Sequence, residues 1–163
     1  MSKLLGFFKS PLGACLTLLS RLIVATVFAF AGWPKLLEPD AFAESILNYN
    51  LVSPNAASLI ASFLPTLELT VAASLLSGVG ARGASALAAG MLSMFSLAIG
   101  QAIFRGIDID CGCFGDASSS SADWTGLVRN ALLILLALVG MLGPATLLNT
   151  LGLLGLRSKS PRE

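Results

Sequence analysis

The sequence predicts an all-α fold, a four-helix transmembrane bundle with a short amphipathic helix in its first outer loop. Three observations lead there. Only 12% of the 163 residues are charged and 55% are hydrophobic, whereas soluble domains carry about 25% charged residues. The mean hydropathy is +0.84. The apolar residues gather in four blocks, at about residues 12–33, 56–79, 84–104 and 125–148, each long enough for a membrane-spanning helix of roughly 20 residues. We expect one domain over residues 1–156 and a polar cytoplasmic tail over 157–163. A net charge of +1 with no basic cluster outside the tails argues against nucleic acid as a partner. The chain has no histidine, which excludes imidazole catalysis and histidine-ligated metals.

The first block follows Lys3 and Lys9 and contains Arg21, and Ala29-Phe30-Ala31 has the small residues of a signal-cleavage site. Apolar residues already precede Arg21 and three more blocks follow, so a retained first helix is expected. In the loop after it, Pro39 suits a first helical position. Phe42, Ile46 and Tyr49 then share one helical face, with Asp40, Glu44 and Asn48 on the other side. That pattern predicts a short helix lying on the membrane surface or capping the bundle. Trp33 and Trp124 stand where interfacial aromatic anchors belong, and Asp123 suits the N-cap of the fourth span.

Charge bias sets the expected orientation. Lys3, Lys9, Arg82, Arg157, Lys159 and Arg162 fall on one side, against Lys35, Arg105 and, just inside the fourth span, Arg129 on the other. The positive-inside rule then puts both termini in the cytoplasm. We expect a multi-pass protein of the bacterial inner membrane, whose loop before the fourth span faces the periplasm or exterior. Thiols can be oxidised there.

Arg21 and Glu68 are the charges furthest from any loop. Arg21 lies twelve residues before Trp33 and Glu68 twelve after Ala56, so both sit roughly 18 Å below the outer surface at 1.5 Å per residue. The two helices run in opposite directions, and an Arg21–Glu68 pair is the expected way to hold either charge in hydrocarbon. Such a pair can be a bundle-specifying ion pair or a proton- or quinone-linked site. Pro65, one turn before Glu68, can kink the second span.

The longest strongly polar island between two apolar blocks is Asp108-Ile109-Asp110-Cys111-Gly112-Cys113-Phe114-Gly115-Asp116. Cysteines two residues apart barely reach disulfide geometry, and Gly112 permits the bend. A bond so constrained should be strained, and strained disulfides exchange readily. So short a loop adds little as a staple. The carboxylates of Asp108, Asp110 and Asp116 disfavour a thiolate, so a working pair needs Arg105, Arg129 or the start of the fourth span nearby. Two other readings stay open. The carboxylates and thiols could hold a metal, although the spacing is not that of zinc sites, or the segment is a glycine-rich turn whose thiols have no role. Cys15, near the cytoplasmic end of the first span, is expected to be a small packing residue.

Arg21 in the first span, Lys35 after it, Phe42, Ile46 and Tyr49 in the loop, Pro65 and Glu68 in the second span, and Cys111-Gly112-Cys113-Phe114-Gly115 before the fourth resemble the MauE/DoxX redox-associated membrane proteins. The resemblance covers roughly residues 17–140. It implies a four-helix membrane protein tied to thiol–disulfide or quinone-linked electron transfer. For the methylamine-utilisation branch it implies maturation of a disulfide-rich periplasmic dehydrogenase alongside a separate thioredoxin-like partner. The expected site is therefore Cys111 and Cys113 as the exchanging pair, supported by Arg105, Arg129, Asp110 and Gly112, with quinone as the membrane carrier and no bound metal. Two alternatives remain: a non-catalytic assembly factor or subunit, and a small transporter or metal-handling protein built on Arg21, Glu68 and the Asp/Cys loop.

Overall fold

Proline sets where three of the helices begin. The computed structural model describes residues 10–105 and 124–142. In it, α1 (Pro11–Leu37), α2 (Pro39–Asn48) and α3 (Pro54–Ser77) each start on a proline. The ring's fixed φ suits the first helical position, and its missing N–H would have no helical partner there. Proline also pushes the residue before it out of the helical region. Ser10 and Ser53 are accordingly extended, both at ψ 159°, and Glu38, at φ −128° and ψ 67°, both ends α1 and opens α2. The first span therefore continues past Trp33 and through Pro34 to Leu37. Pro34 removes one hydrogen bond in the last turn without ending the helix, and the Glu38 N–H closes that turn on the Pro34 carbonyl at 3.0 Å.

The remaining elements are α4 (Ala81–Phe104) and α5 (Trp124–Leu142). The α3–α4 turn is tight because two glycines adopt left-handed backbone, Gly78 at φ 75° and Gly80 at φ 63°. The Gly78 N–H also caps α3 on the Ser74 carbonyl at 3.0 Å. Four helices, α1, α3, α4 and α5, are long and apolar enough to cross a membrane, and the chain is an all-α, multi-pass membrane protein. Helix α2 has no buried residue; Phe42, Ile46 and Tyr49 at its end are half-buried, while Asp40, Glu44 and Asn48 are exposed. It lies against α3, with the two faces arranged as the sequence pattern predicts.

The four spans form a ring: α1 packs on α3 and α5, and α4 packs on α5 and, less closely, on α3. Where helices meet, the core is rich in alanine, with Ala25, Ala72, Ala84, Ala88 and Ala137 packed beside Val24, Phe28, Leu92 and Leu133. The larger apolar side chains point outward, among them Phe30, Phe63, Leu97, Phe104 and Val128. Hydrocarbon solvates such side chains as well as a core does. Close approach of small residues, rather than burial of large ones, therefore holds the helices together.

The glycine turn gives the first prediction. Replacing Gly78 by Ala puts a Cβ on left-handed backbone, at a cost of about 1 kcal/mol. We expect a lower unfolding midpoint for the purified variant in detergent, with helix content unchanged by circular dichroism. An unaltered midpoint would show that the turn does not require glycine.

Candidate functional site

The buried charges are arranged differently from the expected Arg21–Glu68 pair. Glu68 Oε1 instead accepts a hydrogen bond from Lys35 Nζ at 2.7 Å, with the two side chains only 2% and 4% exposed. Arg21 donates from Nε and Nη2 to the Gly140 carbonyl of α5, at 3.1 and 2.8 Å. Equal residue counts from the two loops do not give equal depths, because α3 extends fourteen residues outward from Glu68 to Pro54 while α1 extends only five from Gly32, opposite Glu68, to Leu37. Arg21 is eleven residues from Gly32, about 16 Å further along the helix. The two charges sit at different levels of the bundle.

At the Lys35 end, the close approach of α1 and α3 depends on Gly32. A Cβ there would lie 3.1 Å from Glu68 Cβ and 3.2 Å from its Oε2. Lys35 Nζ also lies 4.9 Å from the ring centroid of Phe42 in α2 and 5.3 Å from that of Phe95 in α4, positions in which ring faces stabilise a cation. Glu68 Oε2 has no hydrogen-bond partner among the described residues. Lys35, Glu68 and the buried Asn130 of α5 share a cavity of about 30 Å³, the space one water molecule occupies. Beside this cluster, a larger pocket of about 680 Å³ opens between α2, α3 and α4, with Lys35 in its wall.

The other expected site residues are dispersed. Arg105 ends α4, its N–H bonded to the Gln101 and Ala102 carbonyls, and its Nη1 lies 3.5 Å from the Tyr49 carbonyl after α2. Arg129 is half-buried on α5, next to Asn130. Asp110, Cys111, Gly112 and Cys113 lie outside the described residues. In the sequence they fall between Phe104, which lines the larger pocket, and Trp124, six residues before Asn130.

At the level of Arg21, Thr17, Ser20 and Ser85 are fully buried around the guanidinium's helix. Thr17 and Ser20 bond back to their own helix at 2.8 Å each. A Cβ on Gly140 would lie 3.0 Å from Ser85 Oγ and 3.3 Å from Arg21 Cγ, so glycine lets α5 come this close. The residue four positions after Gly140 is Pro144, which has no N–H to offer the Gly140 carbonyl. That carbonyl is thus available to Arg21.

Reading the sequence alone missed Lys35 as the partner of Glu68, and with it Phe95, Asn130 and the large pocket. A signal was present. Glu38-Pro39 is the stronger helix stop, and taking it in place of Trp33-Pro34 brings Lys35 into the first span, one turn from Gly32.

Comparison with known proteins gives one consistent result. Residues 13–143 match the family described as methylamine utilisation protein MauE. The methylamine utilization protein MauE of Paracoccus versutus is 37% identical over 119 residues, covering 72% of this chain and 64% of that protein. Its counterpart in Paracoccus denitrificans is 32% identical over the same coverage. That of Methylophilus methylotrophus is 37% identical over 123 residues, 75% of this chain and 63% of its own length. The chain thus spans a little under two thirds of the length of these relatives. No solved structure matches it.

The ion pair makes a direct prediction. Lys35→Met strands a carboxylate in the bundle and should cost about 3–5 kcal/mol, whereas pairing it with Glu68→Leu should recover most of that loss. Unfolding of the wild type, both single variants and the double variant in detergent closes the cycle. Additive single losses would mean the two side chains are not coupled.

Proposed function

This chain belongs to the MauE family, and from that premise we propose that it serves methylamine utilisation as a membrane-embedded thiol–disulfide redox protein. Its Cys111/Cys113 pair exchanges electrons between a periplasmic thioredoxin-like or client protein and a membrane carrier, quinone, in support of the maturation of a periplasmic protein. The observation that carries this reading is a buried Lys35–Glu68 pair beside an apolar pocket. In the sequence, the segment with both cysteines follows α4, whose last residue Phe104 lines that pocket, and precedes α5, whose Asn130 borders the pair.

The charge distribution supports an orientation with both termini in the cytoplasm and the Cys111/Cys113 segment in the periplasm of a cell with an inner membrane. Thiol chemistry follows from that location. A partner thiolate attacks one sulfur of the Cys111–Cys113 disulfide, forming a mixed disulfide and releasing the other cysteine as a thiolate. The partner's second thiol, as thiolate, then displaces the mixed disulfide and leaves with its own disulfide formed. Cys111 and Cys113 are left as a dithiol holding two electrons and two protons. Transfer of both to a quinone yields the quinol and restores the disulfide; the reverse sequence carries electrons outward. Arg105 and Arg129 offset the carboxylates of Asp108, Asp110 and Asp116, and Gly112 allows the short ring to close.

The reading is tested in intact cells. Serine at either Cys111 or Cys113 should trap a partner as a mixed disulfide, seen as a shifted band on a non-reducing gel and lost on reduction. A double Cys→Ser variant that still supports maturation of the periplasmic client, with no adduct from either single variant, would point to a non-catalytic assembly factor instead. A membrane-impermeant alkylating reagent should modify Cys111 and Cys113 after reduction but leave Cys15 untouched. Labelling of Cys15 alone would reverse the orientation.

A further inference from the structure

We propose that the pocket between α2, α3 and α4 binds the ring of a membrane quinone, with Lys35 as the donor to one ring oxygen. The inference rests on the redox reading above and assigns its carrier a place. The pocket's volume, about 680 Å³, falls within the range of small-molecule sites. Most of its wall is apolar, from Ile60 and Leu64 of α3 to Met94, Leu97, Ile99 and Phe104 of α4. Both helices are long and apolar enough to cross a membrane, and Leu97, midway along the wall's α4 side, is 75% exposed on the outside of the bundle. A ligand therefore enters from the membrane and is itself lipid-soluble.

The polar end selects the head group. Lys35 is the cation in the wall, where it faces Phe42 and Phe95; Gln101 and Tyr49 line the pocket further along, toward Arg105. The Lys35 charge is already balanced by Glu68 at 2.7 Å. A phosphate or carboxylate head at Lys35 would bring a second negative charge to a cation that Glu68 already pairs, at high cost in a low-dielectric site. A neutral head with hydrogen-bond-accepting oxygens meets no such cost. The two rings flanking Lys35 Nζ, Phe42 and Phe95, also line the pocket and offer faces and edges for a planar ring. A quinone meets these requirements together: a flat neutral ring, opposed carbonyl oxygens, and an apolar tail that can leave past Leu97.

The same geometry handles a proton. Reducing the quinone to quinol takes two electrons and two protons, all of which the Cys111/Cys113 dithiol releases on becoming a disulfide. Lys35 gives a proton to the ring oxygen it faces and regains one from that supply, so the ion pair ends as it began. Glu68 Oε2, without a hydrogen-bond partner among the described residues, and Asn130 border the water-sized cavity behind Lys35. That arrangement can hold the water through which the proton returns.

The test uses the full chain in lipid nanodiscs and an azido-benzoquinone with a ten-carbon tail, photolysed and mapped by mass spectrometry. Adducts should fall within residues 42–64 and 94–104 and be competed by decylubiquinone but not by added phospholipid. Gly100 lines the pocket, and a Cβ there would meet nothing within 4 Å. Gly100→Leu should therefore fill the pocket without disturbing the fold and lower labelling at least about tenfold, equivalent to roughly 1.4 kcal/mol of binding. The Cys111→Ser/Cys113→Ser variant should label as the wild type does. Adducts elsewhere, or labelling that phospholipid displaces equally well, would overturn the site, and neither outcome depends on a variant. Pocket labelling without any trapped disulfide partner would remove the redox reading and leave the ring site standing. Trapped partners with no pocket labelling would do the opposite.

Discussion

One cation, Lys35, organises the bundle. Its ammonium group bonds Glu68 of α3, lies against rings of α2 and α4, and shares a small cavity with Asn130 of α5. Every helix in the described residues therefore meets at this one side chain of α1. The physical constraint is the scarcity of partners for a charge in hydrocarbon. An ammonium and a carboxylate buried to this degree must stay together, because separating them leaves each without compensation. That requirement sets how far α1 slides along α3, and Gly32 removes the side chain that would hold the two helices apart.

The level of Arg21 accommodates its charge by other means. Arg21 lies deep in α1 and reaches the Gly140 carbonyl in the last turn of α5, where carbonyls have no helical donor. Hydroxyls that bond back to their own helix, on Thr17 and Ser20, satisfy the polar groups buried beside it. Between the two levels the bundle relies on alanine. Lipid contributes no hydrophobic drive toward association, so contact distance matters more than buried area. This explains why so many leucines and phenylalanines face outward in a chain that holds together.

The pocket is a consequence of this arrangement. Helices α3 and α4 are joined by a turn of two left-handed glycines and part toward the other end, where α2 lies across the gap. Lys35 projects into the pocket wall because α1 continues three residues past Pro34. A membrane-facing opening, an apolar passage and a charge-balanced polar end thus occur together, with the last residue of α4 in the wall. In the proposed function this pocket holds the carrier that the cysteine pair serves.

Much of the architecture was legible in the residues alone. Four apolar blocks specify four spans, because a backbone in hydrocarbon must satisfy its own hydrogen bonds and a helix does so within one segment. Phe42, Ile46 and Tyr49 specify the inward face of α2 by their spacing. Family-level resemblance was legible too, since it rests on residue identities along one chain. The partner of Glu68 was not. Pairing depends on the axial offset between two antiparallel helices, and counting residues from each loop measures depth only if the helix ends are level. Here α3 extends fourteen residues outward from Glu68 to Pro54, while α1 extends only five from Gly32, opposite Glu68, to Leu37, which puts Lys35 and not Arg21 at the level of Glu68. The pocket was hidden for the same reason: it belongs to no segment, and exists only where three helices leave space between them. Sequence by itself determined which segments cross the membrane and which charges must find partners there. Tertiary structure decided which partners they found, because a buried charge pairs with whatever group the packing of the helices brings within hydrogen-bond reach.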